Sequence, residues 1–240
     1  MVVRAVRAQG QNEPATPKDE PAERAADPTA WLELELLPEL GLTAGLLVAV
    51  LVTLAYTLKT GTSPVPSSSA AVAAILALAA EPLERRLRQG RQVRICDLGA
   101  AWGGLGFALA RRFPAAEVVG YELSPVPWLV ARLRLLLRPT PNLRFERRDF
   151  MAAPLAGADL VTCYLGPGAM ARLRPKLEAE LPWGRHVVSN TFAMPGWEAD
   201  RTRRADDLYA FRLYRYDTPA VPAPLAVPNS GDVPLLPFPP

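Results

Sequence analysis

The sequence is poor in the residues that build most metal centres and acid–base catalytic sets. Its 240 residues include one histidine, His186, and two cysteines, Cys96 and Cys163. These three residues cannot supply the four ligands of a structural zinc site, and one histidine gives little support to a Ser-His-Asp hydrolase. Both cysteines lie in apolar runs typical of buried strands, so we predict reduced core thiols. No metal is predicted.

The sequence also lacks a block of lysine and arginine interleaved with aromatic residues. The formal net charge is only +3, and the arginines are scattered, as at Arg111, Arg112, Arg132 and Arg134. Nucleic-acid binding therefore has no specific support, and no nucleic-acid partner is predicted. Scattered basic side chains suit a protein held near anionic lipid head groups.

One apolar segment is long enough to cross a bilayer. Gly41–Leu58 carries no charge over eighteen residues, which span about 27 Å as a helix. Acidic residues precede this segment and Lys59 follows it, which favours the C-terminal side as cytoplasmic. We predict a single-pass protein of the cell (inner) membrane with its catalytic domain in the cytoplasm. A buried core helix is the alternative.

The remaining pattern alternates short apolar strands with amphipathic helices. Such alternation predicts an α/β fold with a doubly wound, mostly parallel sheet of the Rossmann-like type. A last strand, at 208–216, is expected to pair antiparallel at the edge of the sheet. The predicted organisation is a disordered polar tail at 1–38, a transmembrane helix at 39–59, a Pro/Ser linker at 60–69, the α/β domain at 70–218 and a Pro-rich tail at 219–240.

The segment that carries chemistry joins the first predicted strand to the helix after it. It reads Asp97-Leu98-Gly99-Ala100-Ala101-Trp102-Gly103-Gly104. Gly99 and Gly103 permit a tight turn and close approach of a bulky cofactor. Glu122 ends the second strand, where a carboxylate can accept both ribose hydroxyls of an adenosine. This layout serves both NAD and S-adenosylmethionine.

Three details favour S-adenosylmethionine as the cofactor. The dinucleotide spacing G-x-G-x-x-G is absent, because Ala101 takes the place of its second glycine. Asp97 stands immediately before the loop, as in D-x-G-x-x-x-G methyltransferase loops. Asp149 follows the third strand, where it can receive the adenine amino group while Phe150 covers the ring. Acids at three successive strand ends share one edge of a parallel sheet, where ligands bind.

Several motifs along the chain resemble those of one enzyme family. They are Val65-Pro66-Ser67 after the apolar segment, Asp97-Leu98-Gly99, Gly120-Tyr121-Glu122-Leu123, Pro127-Trp128-Leu129-Val130, Leu181-Pro182 with Gly184, Val187-Val188-Ser189, Pro195 and Trp197. Over residues 40–216 the chain resembles the single-pass, seven-strand lysine methyltransferases that modify the mitochondrial adenine nucleotide translocase and the c-ring protein of ATP synthase, and their bacterial relatives. The family has glycine where this chain has Ala101; alanine keeps the turn if its φ is negative.

The resemblance implies a class I methyltransferase fold, preceded by one transmembrane helix. It implies an S-adenosylmethionine-dependent enzyme that methylates lysine in a membrane or membrane-associated protein. The predicted cofactor-binding residues are Asp97, Gly99, Ala101, Gly103, Glu122, Leu123, Asp149 and Phe150. Tyr164 and Asn190 are the candidate catalytic residues, at positions that face the methyl group in class I folds, and the substrate-side residues are Pro66, Ser67 and Ser189.

Two other functions are compatible with the sequence. A methyltransferase for a lipid or quinone would make equal use of a membrane anchor. A non-catalytic, membrane-tethered binding or scaffold protein would fit a loop altered at Ala101 and Trp102.

Overall fold

A computed structural model describes residues 30–61, 64–208 and 210–218. The chain divides into two units, Met1–Gly45 and Leu46–Pro240. The described part of the first unit is the beginning of one helix, and the second unit contains the sheet. Residues 1–29 of the predicted N-terminal tail, and the tail predicted at 219–240, lie outside the described residues.

Helix α1, Ala30–Thr60, contains the predicted membrane segment. It begins at Ala30, inside the segment predicted as a tail, rather than at residue 39. Within it, Pro38–Thr60 is the one described helical segment long and apolar enough to cross a membrane, and its most apolar stretch has a mean hydropathy of 2.0. Its leucines are exposed, for example Leu46 and Leu58 at 68% and 76%. The helix therefore does not have the burial expected of a core helix.

The sheet has seven strands in the order β3-β2-β1-β4-β5-β7-β6. Its strands are β1 Val93–Leu98, β2 Ala116–Glu122, β3 Leu143–Arg147, β4 Leu160–Cys163, β5 His186–Asn190, β6 Arg201–Arg204 and β7 Arg212–Asp217. The helices after α1 are α2 Ser69–Arg88, α3 Gly104–Arg112, α4 Pro125–Leu137 and α5 Pro167–Glu180, with a 3₁₀ turn at Phe150–Ala152. Strands β1 to β5 are parallel, which confirms the predicted doubly wound sheet.

The prediction for the edge of the sheet was wrong. Strand β7 pairs antiparallel with β5, as expected, but β6 lies outside it and forms the edge. Strand β6 was not predicted because its sequence, Arg-Thr-Arg-Arg, is exposed on both faces and shows no apolar alternation. Its backbone pairing alone makes it a strand.

Successive strand residues enter two separate apolar layers. Ile95 and Val118 pack with α2, α3 and α4 on one face of the sheet. Cys96 and Val119 point to the other face and pack with α5. Cys96 and Cys163 are buried and unpaired, which confirms the prediction of reduced thiols. Both layers close around the strands, so the sheet is a rigid support for the loops at its two ends.

Gly120 in β2 leaves room for the ring of Phe145. A Cβ at Gly120 would lie 2.6 Å from Phe145 Cδ1 and 2.9 Å from Ala100 Cβ. We therefore expect Gly120→Ala to lower the free energy of unfolding by about 1–3 kcal/mol, because the core would be overpacked. Gly157→Ala is the matched control, since the nearest atom to its Cβ is 3.6 Å away. Equal urea midpoints for the two variants would contradict the expectation.

Candidate active site

A crevice lies at the carboxyl edge of the sheet, where ligands bind in open α/β folds. Its main cavity, of about 190 Å³, is lined by the ends of β1, β2, β3 and β4. A side cavity of about 40 Å³ lies next to it, under the segment 65–67. The residues that line both cavities are Val65, Gly99, Ala101 and Tyr164. The two cavities are therefore parts of one crevice.

The loop after β1 turns sharply at two glycines. The amides of Gly99 and Ala100 both donate to the carbonyl of Tyr121, at 2.9 and 3.0 Å. Gly99 and Gly103 have φ of 73° and 81°, in the left-handed region that favours glycine. A Cβ at Gly103 would also lie 2.7 Å from Phe145 Cζ. Gly103 lines neither cavity, and its geometry serves the turn and the packing below it.

Ala101 adopts a conformation that its sequence did not predict. Its φ is 46°, so the condition of a negative φ is not met and the turn is kept with a positive one. The left-handed region costs an L-residue about 1–2 kcal/mol. The amide of Ala101 donates to Glu122 Oε2 at 2.8 Å, which holds the strained residue in place.

Glu122 stands half-buried at the end of β2 and lines the main cavity. Its Oε1 accepts from the amide of Ser124 at 2.7 Å and its Oε2 from the amide of Ala101. Burial raises the pKa of Glu122 above its ordinary value, while these amides oppose the rise. The carboxylate is thus fixed in direction, with a remaining lone pair on each oxygen.

Asp97 is buried at the end of β1 and is only partly satisfied. Its Oδ1 accepts from Thr162 Oγ1 at 2.8 Å, but Oδ2 has no hydrogen-bond partner among the described residues. Burial, together with the negative charge of Glu122, raises the pKa of Asp97 to about 7. Asp97 lines the side cavity. A buried carboxylate oxygen without a donor is costly, so this atom marks a place for a donor from a ligand.

The third acid, Asp149, is exposed at the end of β3. Its Oδ1 accepts from the amide of Met151 at 2.9 Å and caps the 3₁₀ turn. Asp149 lines the main cavity together with Leu123, Phe150 and Met151. The main cavity therefore combines an apolar wall with carboxylates from two strand ends.

The predicted substrate-side residues fall into two groups. Tyr164 lines both cavities, and its ring stacks on Phe192 at 6.4 Å between centroids. Asn190 lines the side cavity with Pro66 and Ser67, and its Nδ2 donates to Ser67 Oγ at 3.1 Å. Ser189 is not brought to either cavity. Its buried hydroxyl donates to the carbonyl of Phe192 at 2.5 Å.

Trp102 fastens the loop to the segment that precedes α2. Its indole Nε1 donates to the carbonyl of Pro64 at 2.8 Å, and its own carbonyl accepts from Arg134 Nη1 at 2.5 Å. Trp102 lines the side cavity but not the main cavity. The main cavity therefore stays open beside it.

This geometry agrees with comparisons to known proteins. Residues 97–201 match the family model described as the ANTKMT methyltransferase domain. A solved structure of an RNA methyltransferase from Salinibacter ruber, in complex with S-adenosyl-L-homocysteine, is 30% identical with a TM-score of 0.56, covering 65% of this chain and 95% of that one. The chain belongs to the S-adenosylmethionine-dependent class I methyltransferases.

Two curated relatives of this methyltransferase agree with the resemblance inferred from the sequence motifs. The adenine nucleotide translocase lysine N-methyltransferase of Mus musculus is 34% identical over 115 residues, which are 47% of this chain and 49% of that protein. The lysine N-methyltransferase of the ATP synthase c-ring protein from Rattus norvegicus is 33% identical over 121 residues, 49% of this chain and 54% of that protein. The matched part spans about half the length of these relatives.

The sequence did not predict one wall of the methyltransferase crevice. Tyr56, Thr57, Lys59 and Thr60, from the last turns of α1, line the main cavity with Arg172 of α5. Arg147 Nη2 donates to Tyr56 Oη at 3.3 Å, and Arg172 Nη2 to the carbonyl of Thr60 at 3.5 Å. The apolar pattern of α1 gave no sign of these contacts, because they come from tertiary structure.

Ser124 is a further residue that the sequence did not place in the site. It lines the main cavity, and its buried Oγ has no hydrogen-bond partner among the described residues. The sequence pattern indicates Ser124 only as the N-cap of α4, and it does precede that helix. Its side chain makes no capping hydrogen bond, so the helix start does not use this buried hydroxyl.

Replacing Asp97 with asparagine should flatten the pH dependence of stability. The pKa of Asp97, at about 7, exceeds its ordinary value of 3.8, so the folded chain keeps a proton that the unfolded chain loses above about pH 4. The stability contributed by Asp97 is therefore full below about pH 4 and is lost as the pH rises through about 7. Urea unfolding should show Asp97→Asn more stable than wild type at pH 8 and similar at pH 4. A difference independent of pH would contradict this account.

Replacing Ala101 with glycine should stabilise the fold. The left-handed conformation destabilises a folded alanine by about 1–2 kcal/mol. Glycine avoids this strain, and its greater freedom in the unfolded chain costs only roughly 0.4–1 kcal/mol of stability. We expect a gain of about 1 kcal/mol in the free energy of unfolding. Ala100→Gly, at a neighbouring position without positive φ, should instead lose stability. The same sign of change in both variants would argue against strain at Ala101.

Proposed function

We propose that this chain is an S-adenosylmethionine-dependent protein lysine N-methyltransferase that acts at a membrane crossed by α1. The observation that carries the proposal is the set of carboxylates around the Gly99 turn. Asp97 presents an unpartnered buried oxygen beside the side cavity, and Glu122 presents a fixed carboxylate beside the main cavity. Both face one crevice at the carboxyl edge of the sheet, where ligands bind in open α/β folds.

The residues of the crevice fit S-adenosylmethionine. Glu122 would accept hydrogen bonds from the ribose hydroxyls. Asp97 would accept one from the amino group of the methionine portion, because the positive charge of that group suits a carboxylate oxygen that lacks a donor. Asp149 would accept the adenine amino group, with Leu123 and Phe150 against the ring. Bound in this way, the cofactor supplies an electrophilic methyl carbon for in-line displacement.

The chain's own residues prepare the incoming amine. A lysine attacks only when neutral, and the apolar walls near Val65 and Leu165 favour the neutral form, because burial disfavours charge. Tyr164, on the boundary between the two cavities, can orient the amine with its hydroxyl or ring face. Asn190 Oδ1, which accepts from Thr191 Oγ1 at 3.2 Å, has a second lone pair for an amine N–H.

The names of the two relatives support lysine as the acceptor, and their stated targets are the adenine nucleotide translocase and the c-ring protein of ATP synthase.

Helix α1 supports a membrane location. Its last turns form a wall of the main cavity, so with α1 inserted the crevice would open close to the bilayer surface. Lys59 at the end of the span favours the cytoplasmic side of the cell (inner) membrane for the domain. Anchoring would raise the local concentration of membrane-protein targets.

Replacing Glu122 with glutamine should weaken cofactor binding. One charge-assisted acceptor is lost, at a cost of about 1.5–3 kcal/mol, so we expect the Kd for S-adenosylmethionine to rise about ten- to hundredfold. Calorimetric titration of the full chain in detergent measures this change. Glu146→Gln is the matched control, because Glu146 pairs with Arg144 at 3.0 Å on β3 and lines neither cavity. Equal affinities for both variants would refute the role of Glu122.

The reaction itself is tested by transfer of radiolabelled methyl groups into membrane fractions. Label that migrates with a protein, and is recovered as methyl-lysine after hydrolysis, supports the proposal. Label that extracts into organic solvent would instead indicate a lipid or quinone acceptor, and label in added RNA a nucleic-acid acceptor. Failure of the wild-type chain to bind the cofactor would indicate a scaffold protein and would overturn the enzyme assignment.

A further inference from the structure

A third cavity, of about 830 Å³, lies at the opposite, amino edge of the sheet, where β1, β2, β4 and β5 begin. We call it the amino-edge cavity. Its charged lining residues are Arg86, Arg91, Arg94, Glu117, Asp159 and Arg185. None of them lines the cavities of the methyltransferase site. The proposed reaction therefore gives this cavity no role.

One buried carboxylate pairs with two of the four arginines in the amino-edge cavity. Asp159 Oδ1 pairs with Arg86 Nη1 at 3.2 Å and also with Arg185 Nη1. Its Oδ2 accepts from the backbone amide of Arg94 at 2.8 Å. Glu117 lies 3.7 Å from Arg94 Nε and is shared with Arg144. The four lining arginines thus face two carboxylates, which leaves an excess of two positive charges.

These guanidinium groups are incompletely satisfied. Nε of Arg94 and Nε of Arg185 are buried and have no hydrogen-bond partner among the described residues. The side chains of Arg86 and Arg185 are only 14% and 21% exposed. Burial, and then the charge of Arg185, lowers the pKa of Arg86. Crowded, half-buried cations of this kind are costly without a counter-anion.

We propose that the amino-edge cavity binds a phosphate-class oxyanion, either inorganic phosphate or the phosphoryl group of a soluble metabolite. Planar guanidinium groups bind phosphate oxygens through paired hydrogen bonds. The excess charge and the guanidinium groups that line the cavity match an anion with several acceptor oxygens. The proposal is independent of the methyl acceptor.

The position of the cavity favours a soluble ligand over a lipid head group. The end of α1 contacts the carboxyl edge, through Thr60 and Arg172. The six residues of β1 span about 20 Å between the two edges. With α1 in a bilayer, as proposed above, the C-terminal end of its span would lie beside the carboxyl edge, so the amino-edge cavity would be the farther of the two from that end.

The test is titration of the full chain in detergent with inorganic phosphate and with pyrophosphate, at an ionic strength held constant with sodium chloride. We expect saturable binding and a rise in Tm, with no rise from chloride alone. Arg91→Glu should weaken binding about tenfold or more, because it replaces an attractive charge with a repulsive one. Arg91 is exposed, so its replacement leaves the core intact, and Arg91→Ala provides a milder second variant.

Arg203→Glu is the matched control, because it makes the same charge change at an exposed position on β6. Its affinity for phosphate should equal that of wild type. If Arg91→Glu and Arg203→Glu weakened phosphate binding equally, net charge alone would explain the effect, and the proposed site would be wrong. A rise in Tm that chloride reproduces, or binding of an RNA oligonucleotide without binding of phosphate or pyrophosphate, would also overturn it.

Discussion

The carboxylate of Glu122 joins the two turns on which the crevice depends. One oxygen accepts from Ala101 after β1, and the other accepts from Ser124 after β2. The first bond stabilises a residue with positive φ, and the second fixes the start of α4. Both turns would lose their common support without this side chain. Its partial burial, with the resulting rise in pKa, is the cost of placing a carboxylate where a ligand can meet it.

Hydrophobic pattern predicted the parallel part of the sheet because β1, β2, β4 and β5 are mostly buried on both faces, and β3 alternates buried with more exposed residues. Each of these five strands contributes buried apolar residues, which a sequence pattern can report. The pattern failed at β6, whose exposed polar residues form a strand only through backbone pairing with β7. Periodicity reports burial, so it cannot detect a strand that buries no side chain.

The sequence likewise predicted some features of the candidate site and not others. Acids at strand ends were predictable, because parallel strands bring their carboxyl ends to one edge. The conformation of Ala101 was not, because the hydrogen bond that holds it comes from another strand. Ser189 illustrates a further limit: its neighbour Asn190 reaches the side cavity, while Ser189 turns to Phe192. The wall formed by Tyr56 and Lys59 depends on the path of the chain, which local sequence does not specify.

The strands between the two edges of the sheet carry the protein's only two thiols. Cys96 and Cys163 have pKa values raised by burial to about 11 and about 12. The reactive thiolate is therefore scarce in the folded chain at neutral pH. Cys96 lines none of the cavities described above, so alkylating reagents reach its sulfur atom only in molecules whose core has opened. The rate of alkylation consequently reports how often the sheet separates from its helices, without any engineered probe.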